Sequence, residues 1–207
     1  FAAISARHCS RVTVRYQGSA GERRGDAAAE ELMGDTYYVR RVEYEALLKE
    51  TSMSVDVGAK APDFTLPNQD REPVTLSEQL KNGPVVLAFF PAAFSSVCQK
   101  EMCTFRDSAN ALNSVKAKVL GVSVDTFFAL KAWGDENKLN FPLLSDFNKD
   151  VIGKYGVVNP DMIGLKNIAK RSVFVIDKGG VVRHREVLDD ARNEPNYEKI
   201  TQTLASV

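Results

Sequence analysis

Val85-Val86-Leu87-Ala88-Phe89-Phe90 runs without a break into Pro91-Ala92-Ala93-Phe94-Ser95-Ser96-Val97-Cys98, and Gln99-Lys100-Glu101-Met102-Cys103 follows. The apolar run is short and rich in β-branched and aromatic residues, which predicts a strand buried on both faces. A helical pattern comes after it. The spacing of Ser96 and Gln99 fits a capping box, with Ser96 as the N-cap and Cys98 near the second helical position. Unpaired N–H groups and the positive end of the helix dipole favour an anion there. A cysteine so placed is readily activated as a thiolate. It can equally be a small buried apolar residue, the commonest fate of a free cysteine. Position alone leaves both readings open.

Upstream of this junction, Ala61–Pro67 is a short extended piece with a polar turn after it. Val74-Thr75-Leu76 leads to a helical turn expected to be capped by Ser77, and Asn82-Gly83-Pro84 marks a turn. Downstream, the helix is expected to run from Ser96 to about Asn113. Lys118–Val124 reads as a second strand, and Thr126 to about Asn137 as a helix with Phe127, Leu130 and Trp133 three apart. Phe141–Leu144 is extended and Asp150–Tyr155 helical, stopped by Gly156. Arg171–Asp177 is a strand that returns as a hairpin over Val181–Val187 through Lys178-Gly179-Gly180. Asn193, Glu194 and Pro195 open a last helix to about Leu204. The order β-α-β-α-β-β-α, with continuous apolar strands, predicts an α/β domain of thioredoxin-like arrangement: a central mixed sheet flanked by helices.

Composition narrows the function. The chain has 207 residues, 44% apolar and 26% charged, with 27 basic and 27 acidic side chains. No net field draws it to nucleic acid or to an anionic membrane, and no apolar run approaches the ~20 residues of a spanning helix. Nothing interleaves aromatics with a basic stripe. Three cysteines are too few for a secreted disulfide scaffold. Residues 1–52 read as an extension, distinct from a domain over 53–207. Arg7, Arg11 and Arg15 with no acid before Glu22 resemble an organellar transit peptide, and residues 18–29 resemble a linker. Tyr37–Lys49 fits a short amphipathic helix, and the alternative is a poorly packed extension or an upstream translation ahead of a functional start at Met53. The destination is a mitochondrion or plastid if this is a transit segment, and the cytoplasm if Met53 is the start. His8 and Cys9 are too isolated for a metal site.

No C-x-x-C, phosphate loop or H-E-x-x-H occurs. With two histidines in the chain and Cys98 and Cys103 five apart, no metal site and no organic cofactor is expected. His184, between Arg183 and Arg185, reads as a surface residue. Phe127, Trp133 and Phe141 read as core or interface.

Pro91-x-x-x-Ser95-x-x-Cys98 resembles the P-x-x-x-[T/S]-x-x-C signature of the peroxiredoxins, and Arg171-x-x-Phe174-Val175-Ile176-Asp177 resembles that family's arginine-bearing strand. The likeness spans Val55 to the C-terminus. The residues around Phe89–Phe94 and Phe141–Phe147 are similar to the alkyl hydroperoxide reductase E group. Cys103 is similar to the second cysteine of the bacterioferritin comigratory protein (PrxQ) group. The resemblance implies a thiol-dependent peroxidase for hydrogen peroxide and organic hydroperoxides. Cys98 would attack the peroxide and become a sulfenic acid, and Arg171 would hold the thiolate and the peroxide oxygens. Ser95 would orient the peroxide, and Pro91 would shape the loop and shield the sulfur. Glu101 would brace an arginine, or else be a solvated helix residue.

Cys103 is implied as the resolving cysteine, with recycling by thioredoxin or a similar reductant; the alternative is that it packs in the core. On an intact helix, residues five apart lie roughly 8–9 Å apart between Cα atoms. A disulfide needs less than about 7 Å, so the helix must open for that bond. The expected assembly is a monomer or homodimer. The competing reading from another class is a redox sensor or holdase switched by Cys98 oxidation.

Overall fold

The apolar run is strand β3 (Val85–Phe89), and every residue of it is buried. The computed structural model describes residues 55–108, 112 and 114–207. The expectations for residues 1–52, including His8, Cys9 and the Tyr37–Lys49 helix, lie outside them. β3 pairs in parallel with β4 (Lys118–Ser123) and antiparallel with β8 (Ser172–Ile176). β5 (Leu143–Ser145) and β9 (Val182–Val187) complete a five-stranded sheet in the order β5-β4-β3-β8-β9. The sheet is therefore mixed, with β4 and β5 parallel to β3 on one side of it and an antiparallel hairpin on the other.

Alternation along β3 sends successive side chains to opposite faces, and two separate apolar clusters follow. Val85, Leu87 and Phe89 join one. It is closed by Leu76 and Leu80 of α1 (Leu76–Leu80), by Val151 and Ile152 of α4 (Asp150–Lys154), and by Tyr155. Val86, Ala88 and Phe90 join the other. There Cys98, Met102 and Phe105 of α2 (Ser96–Asp107), Leu130 and Trp133 of α3 (Phe127–Glu136), and Ile200 and Leu204 of α5 (Tyr197–Leu204) pack. A sheet covered on both faces is what continuous apolar strands require. Gly121 on β4 leaves room for the Leu143 side chain of β5: a Cβ there would meet Leu143 Cδ2 at 2.8 Å, while Met102 Sδ of α2 at 3.4 Å would be in ordinary contact.

Several local expectations are corrected. α2 stops at Asp107, with Ser108 as C-cap, so the helix expected to about Asn113 is not one continuous run, although Leu112 and Ser114 are again helical. Thr75, not Ser77, is the N-cap of α1; the Ser77 N–H instead donates to Asp63 Oδ1 at 3.0 Å. α5 begins after Asn196, whose Oδ1 accepts from Lys199 N at 3.0 Å, so Pro195 sits just ahead of the cap. The extended piece ending at Pro67 is the first arm of a short hairpin whose pairing the sequence reading did not make, and a second hairpin escaped it. β1 (Thr65–Pro67) pairs with β2 (Pro73–Thr75), and β6 (Val158–Met162) with β7 (Leu165–Ala169). His184 is corrected from surface to buried, at 5% exposure, because on β9 it shares the inward face with Val182.

Candidate functional site

The end of β3 and the start of β8 meet because the two strands are antiparallel, with Phe89 opposite Ser172. Cys98 follows the first and Arg171 precedes the second, so residues 73 apart in sequence converge. Arg171 Nη2 donates to Cys98 Sγ at 3.4 Å. Its Nη1 donates to Glu101 Oε2, one turn along α2. Nη2 and Nε both reach the Ala191 carbonyl, at 2.9 and 3.2 Å. Cys98 and Glu101 are fully buried and Arg171 is 1% exposed, so the arginine is not a surface charge and Glu101 is not a solvated helix residue. Burial pushes the Glu101 carboxyl up to about 7, while the neighbouring Arg171 pulls it down. Glu101 Oε1 has no hydrogen-bond partner. The ion pair is therefore only partly satisfied, and in a dry setting such a pair holds geometry more than it adds stability.

The start of α2 differs from the expected capping box. Ser95 is the N-cap and its side chain makes no cap bond; Cys98 is the third helical residue. The first intrahelical bond is Gln99 N to Ser95 O at 2.9 Å. The N–H groups of Ser96, Val97 and Cys98 thus precede the helix's own bonding pattern and face the junction. Ser95 Oγ donates to Ala92 O at 3.1 Å. That spends its proton on the loop and leaves its lone pairs for another donor.

Asp125, which the sequence reading missed, anchors the loop. Its Oδ2 accepts from Ala93 N at 2.7 Å and from Ser123 Oγ at 2.9 Å, tying the cysteine loop to the end of β4. Phe94 takes φ 62° next to that anchor and stays 56% exposed. The signal available in sequence was an acid just past a strand at the same sheet edge.

A cleft of about 560 Å³ opens above the sulfur, lined by Pro91, Ser95, Val97, Cys98, Arg171 and the β6–β7 hairpin. Pro91 is buried at its base. Cys98 and Cys103 are free thiols, the second half-buried, and both lie on the unbroken α2. Among the described residues no cluster of three or more His, Cys, Asp or Glu could hold a metal ion. Among them, too, no helix is long and apolar enough to cross a membrane.

Fold and site together place the chain among thioredoxin-like thiol enzymes. Residues 57–185 match the AhpC/TSA family. A chloroplastic 2-cysteine peroxiredoxin of Chattonella marina var. antiqua is 37% identical over 165 residues, 75% of this chain and 82% of that protein. Alkyl hydroperoxide reductase E of Mycobacterium bovis is 38% identical over 135 residues, 64% of this chain and 86% of the relative. The crystal structure of peroxidoxin BcpB from Mycobacterium tuberculosis superposes with a TM-score of 0.67 at 33% identity, covering 74% of this chain and 98% of the other. The chain belongs to the AhpC/TSA family, the peroxiredoxins, which are thiol-dependent peroxidases.

Proposed function

We propose that this chain reduces hydrogen peroxide and organic hydroperoxides through Cys98. The observation that carries the reading is the buried Arg171 Nη2–Cys98 Sγ contact of 3.4 Å at a helix N-terminus. A guanidinium and free N–H groups aimed at one sulfur stabilise negative charge on it and on an oxygen arriving beside it. The thiolate attacks the terminal peroxide oxygen. The S–O bond forms as the O–O bond breaks, and the departing alkoxide or hydroxide takes the proton the thiol gave up. The products are an alcohol or water and a Cys98 sulfenic acid. Arg171 steadies the thiolate and the peroxide oxygens. Ser95 accepts a hydrogen bond from the peroxide O–H, Pro91 keeps water from the sulfur, and Glu101 holds Arg171 in place.

Cys103 then attacks the sulfenic sulfur, water leaves, and a Cys98–Cys103 disulfide results. A thioredoxin-like dithiol reduces that bond and closes the cycle. The enzyme works as a monomer or homodimer. Relatives named as chloroplastic support a transit role for residues 1–52, which a fluorescent fusion of that segment tests by its destination.

The deciding experiment is mass spectrometry after one equivalent of hydroperoxide, beside peroxide consumption by Cys98→Ser. Wild type is expected to carry a Cys98–Cys103 disulfide, Cys103→Ser a Cys98 sulfenic acid, and Cys98→Ser to consume nothing. Stoichiometric consumption by Cys98→Ser would end the reading.

A further inference from the structure

The wall of the cleft opposite α2 is the tip of the β6–β7 hairpin, where Met162 and Leu165 pair across Ile163-Gly164. Both tip residues have positive φ, 50° for Ile163 and 91° for Gly164, as a two-residue type I′ turn requires. Asn or Asp normally fills the first place. A β-branched residue there is a genuine outlier, because its Cβ crowds its own backbone. Ile163 is also 93% exposed, the most exposed large apolar side chain among the described residues. Two local costs therefore fall on one side chain, and that side chain stands on the rim above Cys98. Strain kept at a site rim points to use.

The charges around the rim are spoken for. Asp161 pairs with Lys166, Asp189 with Lys170 at 3.2 Å, and Asp190 with Arg192 at 2.8 Å. Beside the polar Ser95, Ser96 and Asn159, the uncharged part of the lining is apolar, with Pro91, Val97, Met162 and Ile163. Hydrogen peroxide is little larger than a water's ~30 Å³ and leaves most of the ~560 Å³ unfilled. The sulfur itself is fully buried, so a folded protein surface cannot reach it. The space suits a small molecule whose reactive end goes to Cys98 and whose body stays outside.

We propose that Ile163, with Met162 beside it, is a specificity-determining residue that selects hydroperoxides carrying an apolar, uncharged tail. This rests on Cys98 being the peroxide-reducing thiol. The tail lies on the rim while the terminal oxygen is transferred to sulfur, and it leaves as part of the alcohol.

The test is the rate constant of Cys98 oxidation for hydrogen peroxide and for ethyl, butyl and hexyl hydroperoxide. In wild type the constant rises about two- to threefold per methylene; full burial of the tail would give about fourfold. In Ile163→Asn the hexyl-to-hydrogen-peroxide ratio falls about tenfold. The same variant gains roughly 2–4 °C in Tm, because Asn accepts positive φ. Ile163→Leu, apolar but not β-branched, restores most of the ratio. A wild-type series flat in chain length, or a ratio unmoved in Ile163→Asn, overturns the role of Ile163 while leaving the peroxidase standing. Equal losses in the Asn and Leu variants overturn it too, since turn geometry would then be the cause. If no hydroperoxide oxidises wild-type Cys98, both readings fall together.

Discussion

Arg171 contacts a thiol, a carboxylate and a backbone carbonyl with one planar group. A lysine brings a single point of charge and cannot serve the three directions at once. Arg171→Lys is therefore expected to slow Cys98 oxidation by about 10²–10³, the usual cost of losing one aligned donor at a developing charge. Stopped-flow oxidation under single-turnover conditions measures it. Far-UV circular dichroism separates that loss from unfolding, which a buried, incompletely paired Glu101 could provoke. At this scale the sequence was informative wherever a residue type fits one job. Cys98 and Arg171 were singled out through the resemblance of their motifs to the peroxiredoxins, since position alone left Cys98 open between reactive and inert. Glu101 stood between bracing and solvated readings, because an acid one turn from a cysteine carries no mark of burial. Asp125 was missed because its work is done on a backbone N–H from another loop, which no local pattern announces.

For the proposed disulfide, α2 must lose its first turns. Its grip there is substantial. Met102, buried between the two candidate cysteines and packed toward Gly121, would be drawn out of the core along with Glu101. Burying a methionine is worth roughly 1.5–3 kcal/mol, which opening would forfeit. Met102→Ala is expected to lower stability by about 2–5 kcal/mol while speeding closure of the Cys98–Cys103 bond after oxidation. Denaturant unfolding and time-resolved thiol trapping measure the two effects, and slower closure in the variant would contradict the opening step. Elements with a periodic signal were the readable ones. The strands at 85–90 and 118–124 and the helix over 126–137 were placed closely. The β6–β7 hairpin was not, because its residues are mostly exposed on both sides and show no alternation. The Ser96–Gln99 capping box failed because the helix starts one residue earlier than expected: Ser95 is the N-cap, and its side chain turns to Ala92 O instead of capping.

At the scale of the whole molecule, the buried His184 and Glu101 titrate in opposite senses. His184 sits inside with its ring 3.5 Å from Glu186, and burial pulls its pKa below the ordinary value despite that carboxylate; Lys199 pulls the same way. The unfolded chain takes up a proton near 6.5 that the native state resists. Stability from His184 is therefore full above that pH and is lost as pH falls through the lower, folded value. Glu101 runs the other way. Its contribution is present below about 4.5, the ordinary value, and disappears as pH rises toward 7. The two oppose each other in mildly acidic solution, so the difference between proteins is the measurement to make. His184→Gln is expected to remove the loss of stability on acidification below about pH 6.5, read from urea midpoints across pH 5–8. A wild-type-like acid loss in that variant would assign the effect elsewhere. The alternation along β9 held this information, but the arginines on either side of His184 masked it.

The pairing of β3 with β8 has a consequence in time as well as in space. Cys98 leaves the ribosome 73 residues ahead of Arg171, so the newly made thiol stands for a while without its guanidinium. On the proposed role of Cys98, the sulfur gains its activating guanidinium only when the two strand ends close on each other. Completion of the sheet would then arm the thiol, and a chain that stalls or misfolds would be expected to oxidise slowly.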